Sequence, residues 1–164
     1  MKVIKPPNQL YLVDGKTVFL AGSIEQGKAT DWQATITKSL SKLDITVLNP
    51  RRDDWDPTWD QSDDNPEFVA QVNWEMDGMN GADWIAMYFD PKTKSPITLL
   101  ELGLHAARKY DRCDPSKKMI VCCPKGYWRK GNVNIVCKRY NIPMVNSLRA
   151  LTAGIKEKYN ERNK

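Results

Sequence analysis

Short apolar runs alternate along the chain with longer stretches whose apolar residues recur every three or four positions. Residues 16–21, 44–48, 84–89 and 118–123 each read as a buried strand, stopped in turn by Gly22-Ser23, Asn49-Pro50, Asp90-Pro91 and Pro124. Between them the spacing predicts helices over about 30–42, 65–80 and 95–110. A short helix over 132–139, a fifth strand at 142–145 and a last helix from Ser147 to about Tyr159 complete the pattern. Strand–helix alternation with connections too long for hairpins implies an α/β fold: a doubly wound, mostly parallel sheet of about five strands with helices on both faces. Residues 1–15, with Pro6-Pro7, the run Leu10 to Val13 and Asp14-Gly15, read as an N-terminal arm or short edge strand, leaving 16–164 as one domain.

Within this pattern a few polar residues stand where polarity is costly. Ser95 is a natural N-cap and Pro96 a natural first helical residue, so a helix starts at the carboxyl end of the 84–89 strand. Glu101 falls within its first two turns among Leu99, Leu100, Leu102 and Leu104, which predicts a helix wrapped in apolar contacts. A carboxylate there lies where open α/β sheets bind ligands; the simpler alternative is a glutamate stabilised by the helix dipole. In the 65–80 helix Phe68, Val72, Met76 and Met79 mark an apolar face, and Glu75 lies on or beside it, an expensive place for an unpartnered carboxylate. Gln71 and Asp77 are secondary candidates on that helix, whereas Trp74 reads as core. His105 shares a face with Glu101, although a packed histidine is the plainer reading.

Two loops add candidates. Gly22-Ser23 between a strand and a helix makes a corner whose free N–H groups accept anions. The phosphate-loop pattern is degraded there, since Gly27-Lys28 is followed by Ala29 rather than a magnesium-binding hydroxyl, so an ATPase is rejected. The polar loop 51–60, with Trp55 and Trp59, is long enough for a substrate lid if its tryptophans are exposed. The alternative is an ordered surface loop whose arginines neutralise the neighbouring aspartates.

Composition narrows the class. The 164 residues suit one domain, and neither a spanning apolar segment nor a signal-peptide core is visible, so a cytoplasmic protein without membrane contact is expected. The four cysteines lack metal-ligand spacing and are read as reduced thiols. A net charge of +5 fits a solvated basic surface or attraction of phosphorylated small molecules; without a nucleic-acid-binding motif, nucleic acid is not an expected partner.

Three stretches, from Val18 to Ile24, Asn73-Trp74-Glu75-Met76-Asp77 and Leu100-Glu101-Leu102-Gly103, together resemble the nucleoside 2-deoxyribosyltransferase family over residues 16–123. The resemblance implies that Glu101 is the nucleophile attacking the anomeric carbon of a deoxynucleoside. It also implies that Glu75, where the family usually has an aspartate, contacts the base or supports the nucleophile. Phe19, Gly22, Ser23, Asp77, Asp90 and Ser95 are the substrate contacts it suggests. It implies no metal and no organic cofactor, a nucleoside or nucleotide and a free nucleobase as partners, and a homo-oligomer in which a neighbour completes each site. Ser95 departs from the pattern, because six positions before the nucleophile the transferases commonly carry a sugar-binding acid. A serine there looks like the related 5'-monophosphate N-glycosidases, whose serines matching Ser23 and Ser95 hold the 5'-phosphate. Against that departure, the resemblance as a whole ranks deoxyribosyl transfer first, monophosphate hydrolysis second and a non-catalytic nucleoside-binding module third.

Overall fold

The computed structural model describes residues 1–10, 15–25, 29–107 and 118–161. Residues 11–13 of the anticipated edge strand, Gly27-Lys28, Cys113 and the expected helix end near Tyr110 lie outside these residues. The elements run β1 (Lys2–Ile4), β2 (Thr17–Gly22), α1 (Trp32–Leu40), β3 (Thr46–Leu48), α2 (Pro66–Gly81), β4 (Trp84–Tyr88), α3 (Pro96–Ala106), β5 (Met119–Cys122), α4 (Lys130–Arg139), β6 (Met144–Val145) and α5 (Leu148–Glu161). Six strands form one sheet in the order β1-β3-β2-β4-β5-β6, and every pairing is parallel. The anticipated doubly wound architecture is thus present, with β1 as a strand beyond the five expected. β1 pairs in register with β3, Val3 opposite Val47.

A parallel sheet covered on both faces demands apolar side chains on both, and the strands supply them by strict alternation. Phe19 and Ala21 of β2, Ile85 and Met87 of β4 and Met119 and Val121 of β5 point into the core beneath α2, α3 and α4. Val18 and Leu20, Trp84, Ala86 and Tyr88, and Ile120 and Cys122 point into the core shared with α1 and α5. The helices begin on side chains suited to the task. Asp31 accepts from Ala34 N at 3.0 Å to open α1, and Asn65 accepts from Glu67 N at 3.1 Å to open α2, with Pro66 in its first turn. Among the described residues no helix is long and apolar enough to cross a membrane.

From β2 the chain first steps outward to β3 and then returns across β2 to β4, so the direction of winding reverses between β2 and β4. Loops leaving neighbouring strands on opposite sides open a crevice at such a point, and ligands of this architecture bind there.

Candidate active site

The crevice is floored by an unusually close approach of β2 and β4. Gly22 has φ of 144°, and a β-carbon on it would fall 2.3 Å from Tyr88 O, so no side chain fits. This approach sets Ser23 directly against β4: its N–H donates to Tyr88 O at 3.0 Å, and its carbonyl accepts from Trp32 Nε1 at 3.0 Å. Three hydroxyls then meet beside the strand end. Ser23 Oγ lies 2.5 Å from Ser95 Oγ and 3.1 Å from Thr93 Oγ1, and accepts from Asp90 N at 2.9 Å. Thr93 Oγ1 also lies 2.7 Å from Ser95 Oγ and donates to Asp90 O at 3.0 Å. Asp90 holds the corner together, its carboxylate accepting from Lys92 N at 2.9 Å and Thr30 N at 3.2 Å. All four side chains are buried, Ser23 and Ser95 at 1% and 3% exposure.

Ser95 does not cap α3 as its position in the sequence suggests. Its backbone is left-handed, with φ of 48°, and its hydroxyl turns to Ser23 and Thr93 instead of the helix. Its own N–H donates to the carboxylate of Glu25, which closes over the helix start from the β2 loop. Glu25 is itself left-handed, with φ of 42°. Left-handed non-glycine residues cost energy and gather at functional sites.

Glu101 lies six residues further along α3, about 9 Å down the helix axis. It is half-buried, and burial, with the neighbouring Glu75 charge adding to it, pushes its carboxyl up to about 8. Glu75 on α2 is likewise half-buried and pushed up by burial to about 7, while a hydrogen bond from Gln71 opposes the rise. That bond, Gln71 Nε2 to Glu75 Oε1 at 2.8 Å, is paired with a second from the same nitrogen to Pro50 O at 3.0 Å, tying α2 to the end of β3. Two neighbouring carboxyls whose hold on the proton is raised by burial are equipped for acid–base or nucleophilic work. Among the described residues no three His, Cys, Asp or Glu side chains gather as a metal site would require.

The structure thus brings Ser23, Asp90 and Ser95 together against Gly22, and sets Glu75 beside Glu101. Two anticipated contacts lie elsewhere. Phe19 is fully buried, its ring 5.9 Å from that of Trp74, and fills the core where Gly78 lets α2 approach. Asp77 is exposed, because two residues of helix carry it away from the face that Glu75 occupies. Trp74 is core, with Nε1 donating to Asn8 O at 2.7 Å, and His105 is buried at 8% exposure. The anticipated apolar wrapping of α3 is one-sided: Leu102 is buried, but Ile97, Leu100 and Leu104 are 60%, 57% and 52% exposed.

The loop 51–60 is organised by Arg52, which pairs with Asp54 at 2.8 Å and stacks 4.8 Å over Trp59. Trp55 and Trp59 are half-buried and meet edge to face at 5.2 Å, so the exposure expected of lid tryptophans is not found. Sequence reasoning missed Thr93, Glu25 and the Gln71–Pro50 tie. Thr93 precedes Ser95 by two residues and Glu25 follows Ser23 by two, and this matched spacing on either side of the crevice was the available signal.

A solved structure, "Crystal structure of conserved protein from Enterococcus faecalis V583", has a similar fold. It covers 90% of this chain and 98% of its own, with a TM-score of 0.57 and 12% sequence identity. No curated protein matches the chain significantly. The sequence profile described as "Nucleoside 2-deoxyribosyltransferase like" matches residues 15–127, a span that holds Ser23, Glu25, Glu75, Asp90, Ser95 and Glu101. With more than half of its length matched, the chain belongs to the nucleoside 2-deoxyribosyltransferase-like family.

Proposed function

We propose that this protein cleaves the N-glycosidic bond of a deoxynucleoside and transfers the sugar to another base, with Glu101 as nucleophile. The observation that carries the reading is the pairing of Glu101 on α3 with Glu75 on α2, each carboxyl with raised proton affinity. Between pH 7 and 8 such a pair holds about one proton, and transfer uses the form in which that proton sits on Glu75 and leaves Glu101 ionised. In the first step a Glu101 oxygen bonds to the anomeric carbon while the carbon–nitrogen bond breaks. Its electron pair leaves with the base, which takes the proton of Glu75. In the second step the incoming base gives its proton to Glu75 and its nitrogen electron pair to the anomeric carbon, and Glu101 departs as a carboxylate. Reuse of a free base in this way belongs to nucleotide salvage in the cytoplasm.

Incubation of one deoxynucleoside with a different free base, followed by chromatography, tests the reading: a new deoxynucleoside is expected. A 2'-fluoro substrate is expected to leave its sugar on the peptide containing Glu101, as a mass increase; a label on another carboxylate removes the assignment. The uncapped start of α3 beside Ser23 and Ser95 supports a second reading, hydrolysis of deoxynucleoside 5'-monophosphates, for which base release in buffer alone is the sign. The exposed stripe of Ile97, Leu100 and Leu104 on the helix carrying Glu101 supports assembly as a homo-oligomer, in which a second copy shields the site from water.

A further inference from the structure

Glu25 decides what the crevice accepts at the far end of the sugar, an inference that rests on the nucleoside reading above. The hydroxyl cluster resembles an anion site, yet its donors are already committed. Three hydroxyls carry three hydrogens, and the cluster contains acceptors for each. Tyr88 O lies 3.4 Å from Ser23 Oγ, Asp90 O lies 3.0 Å from Thr93 Oγ1, and the Ser23 and Thr93 oxygens stand beside Ser95 Oγ. All three side chains are also buried, so none presents an O–H to the crevice. At the start of α3, Pro96 has no N–H and the N–H of Ser95 is taken by Glu25, which leaves the N–H groups of Ile97 and Thr98 behind the Glu25 carboxylate. What remains open is the half-buried carboxylate of Glu25 itself.

The placement of that carboxylate is imposed on the chain. Glu25 and Ser95, joined by this hydrogen bond, both adopt left-handed backbone, which a serine or glutamate does not take freely. On the outer side Tyr127 donates to Lys94 O at 2.7 Å and Trp128 Nε1 donates to the same carbonyl at 3.0 Å, so the segment before Ser95 is held from a third loop. Burial, with the Cys123 and Glu25 charges adding to it against a hydrogen bond from Trp128, pushes the Tyr127 phenol up to about 12, which puts Glu25 in the same corner.

We infer that Glu25 is the specificity-determining residue for the sugar's 5' position, accepting a free 5'-hydroxyl and excluding a 5'-phosphate. With Oε1 on the Ser95 N–H, Oε2 has no partner among the described residues and can accept the hydroxyl proton. A phosphate in its place would set a second anion against the carboxylate of Glu25. The substrate class is therefore the uncharged nucleoside, and the serine pair is the floor of the pocket rather than a phosphate cradle.

The test compares a deoxynucleoside, its 5'-deoxy analogue and its 5'-monophosphate on the wild-type protein, Glu25→Gln and Glu25→Ala, following both base release and binding by calorimetry. The wild type is expected to prefer the nucleoside to the monophosphate by at least about 10-fold. Both variants should raise the nucleoside KM by about 10- to 100-fold, with the larger part of the effect in KM, as expected for a lost hydrogen bond to a charged acceptor. They should leave the 5'-deoxy analogue little changed and bind the monophosphate more tightly than the wild type does. Preference of the wild type for the monophosphate, or equal loss on all three ligands in the variants, overturns the inference. Glu25-dependent nucleoside binding without any base release would remove the transfer reading and uphold this one; binding of neither ligand class would remove both.

Discussion

The carboxylate of Glu75 reaches Glu101 electrostatically across the gap between α2 and α3, and its charge adds to the burial that raises the Glu101 carboxyl to about 8. Glu75 itself is held to about 7 by a balance between burial and the Gln71 hydrogen bond. Between these values the pair holds one proton, mainly on Glu101, so the reactive form, with Glu101 ionised and Glu75 protonated, is the minor one-proton form, whose share still peaks there. Below pH 7 both carry protons and no nucleophile is present; above pH 8 both are ionised and no acid remains. A bell-shaped profile of kcat/KM centred between pH 7 and 8 is the expected outcome. Gln71→Leu removes the bond that favours the Glu75 carboxylate, so the Glu75 carboxyl should rise and the bell move to higher pH. An unmoved profile in a folded Gln71→Leu protein would break the link between this hydrogen bond and the chemistry.

Glu101→Gln separates the chemical role of this residue from its cost to folding. Base exchange should fall by about 10⁴ or more, the scale seen when a covalent nucleophile is removed. Stability should move the other way. The folded-state carboxyl is raised above its ordinary value of 4.5 to about 8, so the native state binds the proton more tightly than the unfolded chain. Its contribution is whole below pH 4.5 and is lost as pH climbs toward 8. The variant, which has no charge to bury, should therefore match the wild type in thermal midpoint at pH 4 and exceed it by a few degrees at pH 8.5. A constant difference across that range would mean that the carboxyl is not held protonated by its surroundings.

The sheet was legible in the sequence because its signals are local. Parallel strands covered on both faces are continuous apolar runs, and 17–22 and 84–88 carry them without interruption. β1 was legible only as an arm or short edge strand somewhere in residues 1–15, because three residues of edge strand carry no periodicity. In the site, Glu101 and Glu75 stood out as carboxylates on apolar helix faces, a conflict visible in one dimension. Phe19 and Asp77 lie apart from the other candidates because neighbours of a motif residue share its sequence stretch but not its face. Glu25 was invisible for the opposite reason. Its meaning comes from Ser95, a residue 70 positions away that it meets only once the loops of β2 and β4 close on each other.

Assembly is testable on α3. Ile97, Leu100 and Leu104 form an exposed stripe at helical spacing beside Glu101. A paired Leu100→Lys and Leu104→Lys substitution puts two charges where a second copy would bury apolar surface. Sedimentation should show the wild type as a dimer or larger and the variant as a monomer. Activity should fall with the loss of the neighbour while the circular dichroism spectrum of the fold is retained. An identical sedimentation coefficient for both proteins would assign the stripe no part in assembly.

Gly22 offers the sharpest structural test, because two strands meet at a distance only a glycine allows. A β-carbon there would sit 2.3 Å from Tyr88 O, 2.8 Å from Tyr88 N and 3.1 Å from the Trp32 ring. Backbone atoms cannot swing aside as a flexible side chain would, and the φ of 144° is itself unfavourable for any other residue. Gly22→Ala must therefore push β2 from β4 at the point where Ser23 docks on the Tyr88 carbonyl. Strain and overpacking of this kind cost about 1–3 kcal/mol, and a domain of this size loses roughly 2–4 °C in Tm per kcal/mol. The damage to activity should exceed the damage to stability, because the displaced Ser23 carries the Ser95 and Thr93 hydroxyls with it and so disturbs the seat of Glu25. Gly103→Ala, whose β-carbon would meet nothing within 4 Å, is the matched control on α3 and should cost little in either respect. Equal behaviour of the two variants would show that the β2–β4 approach is not what holds the crevice in shape.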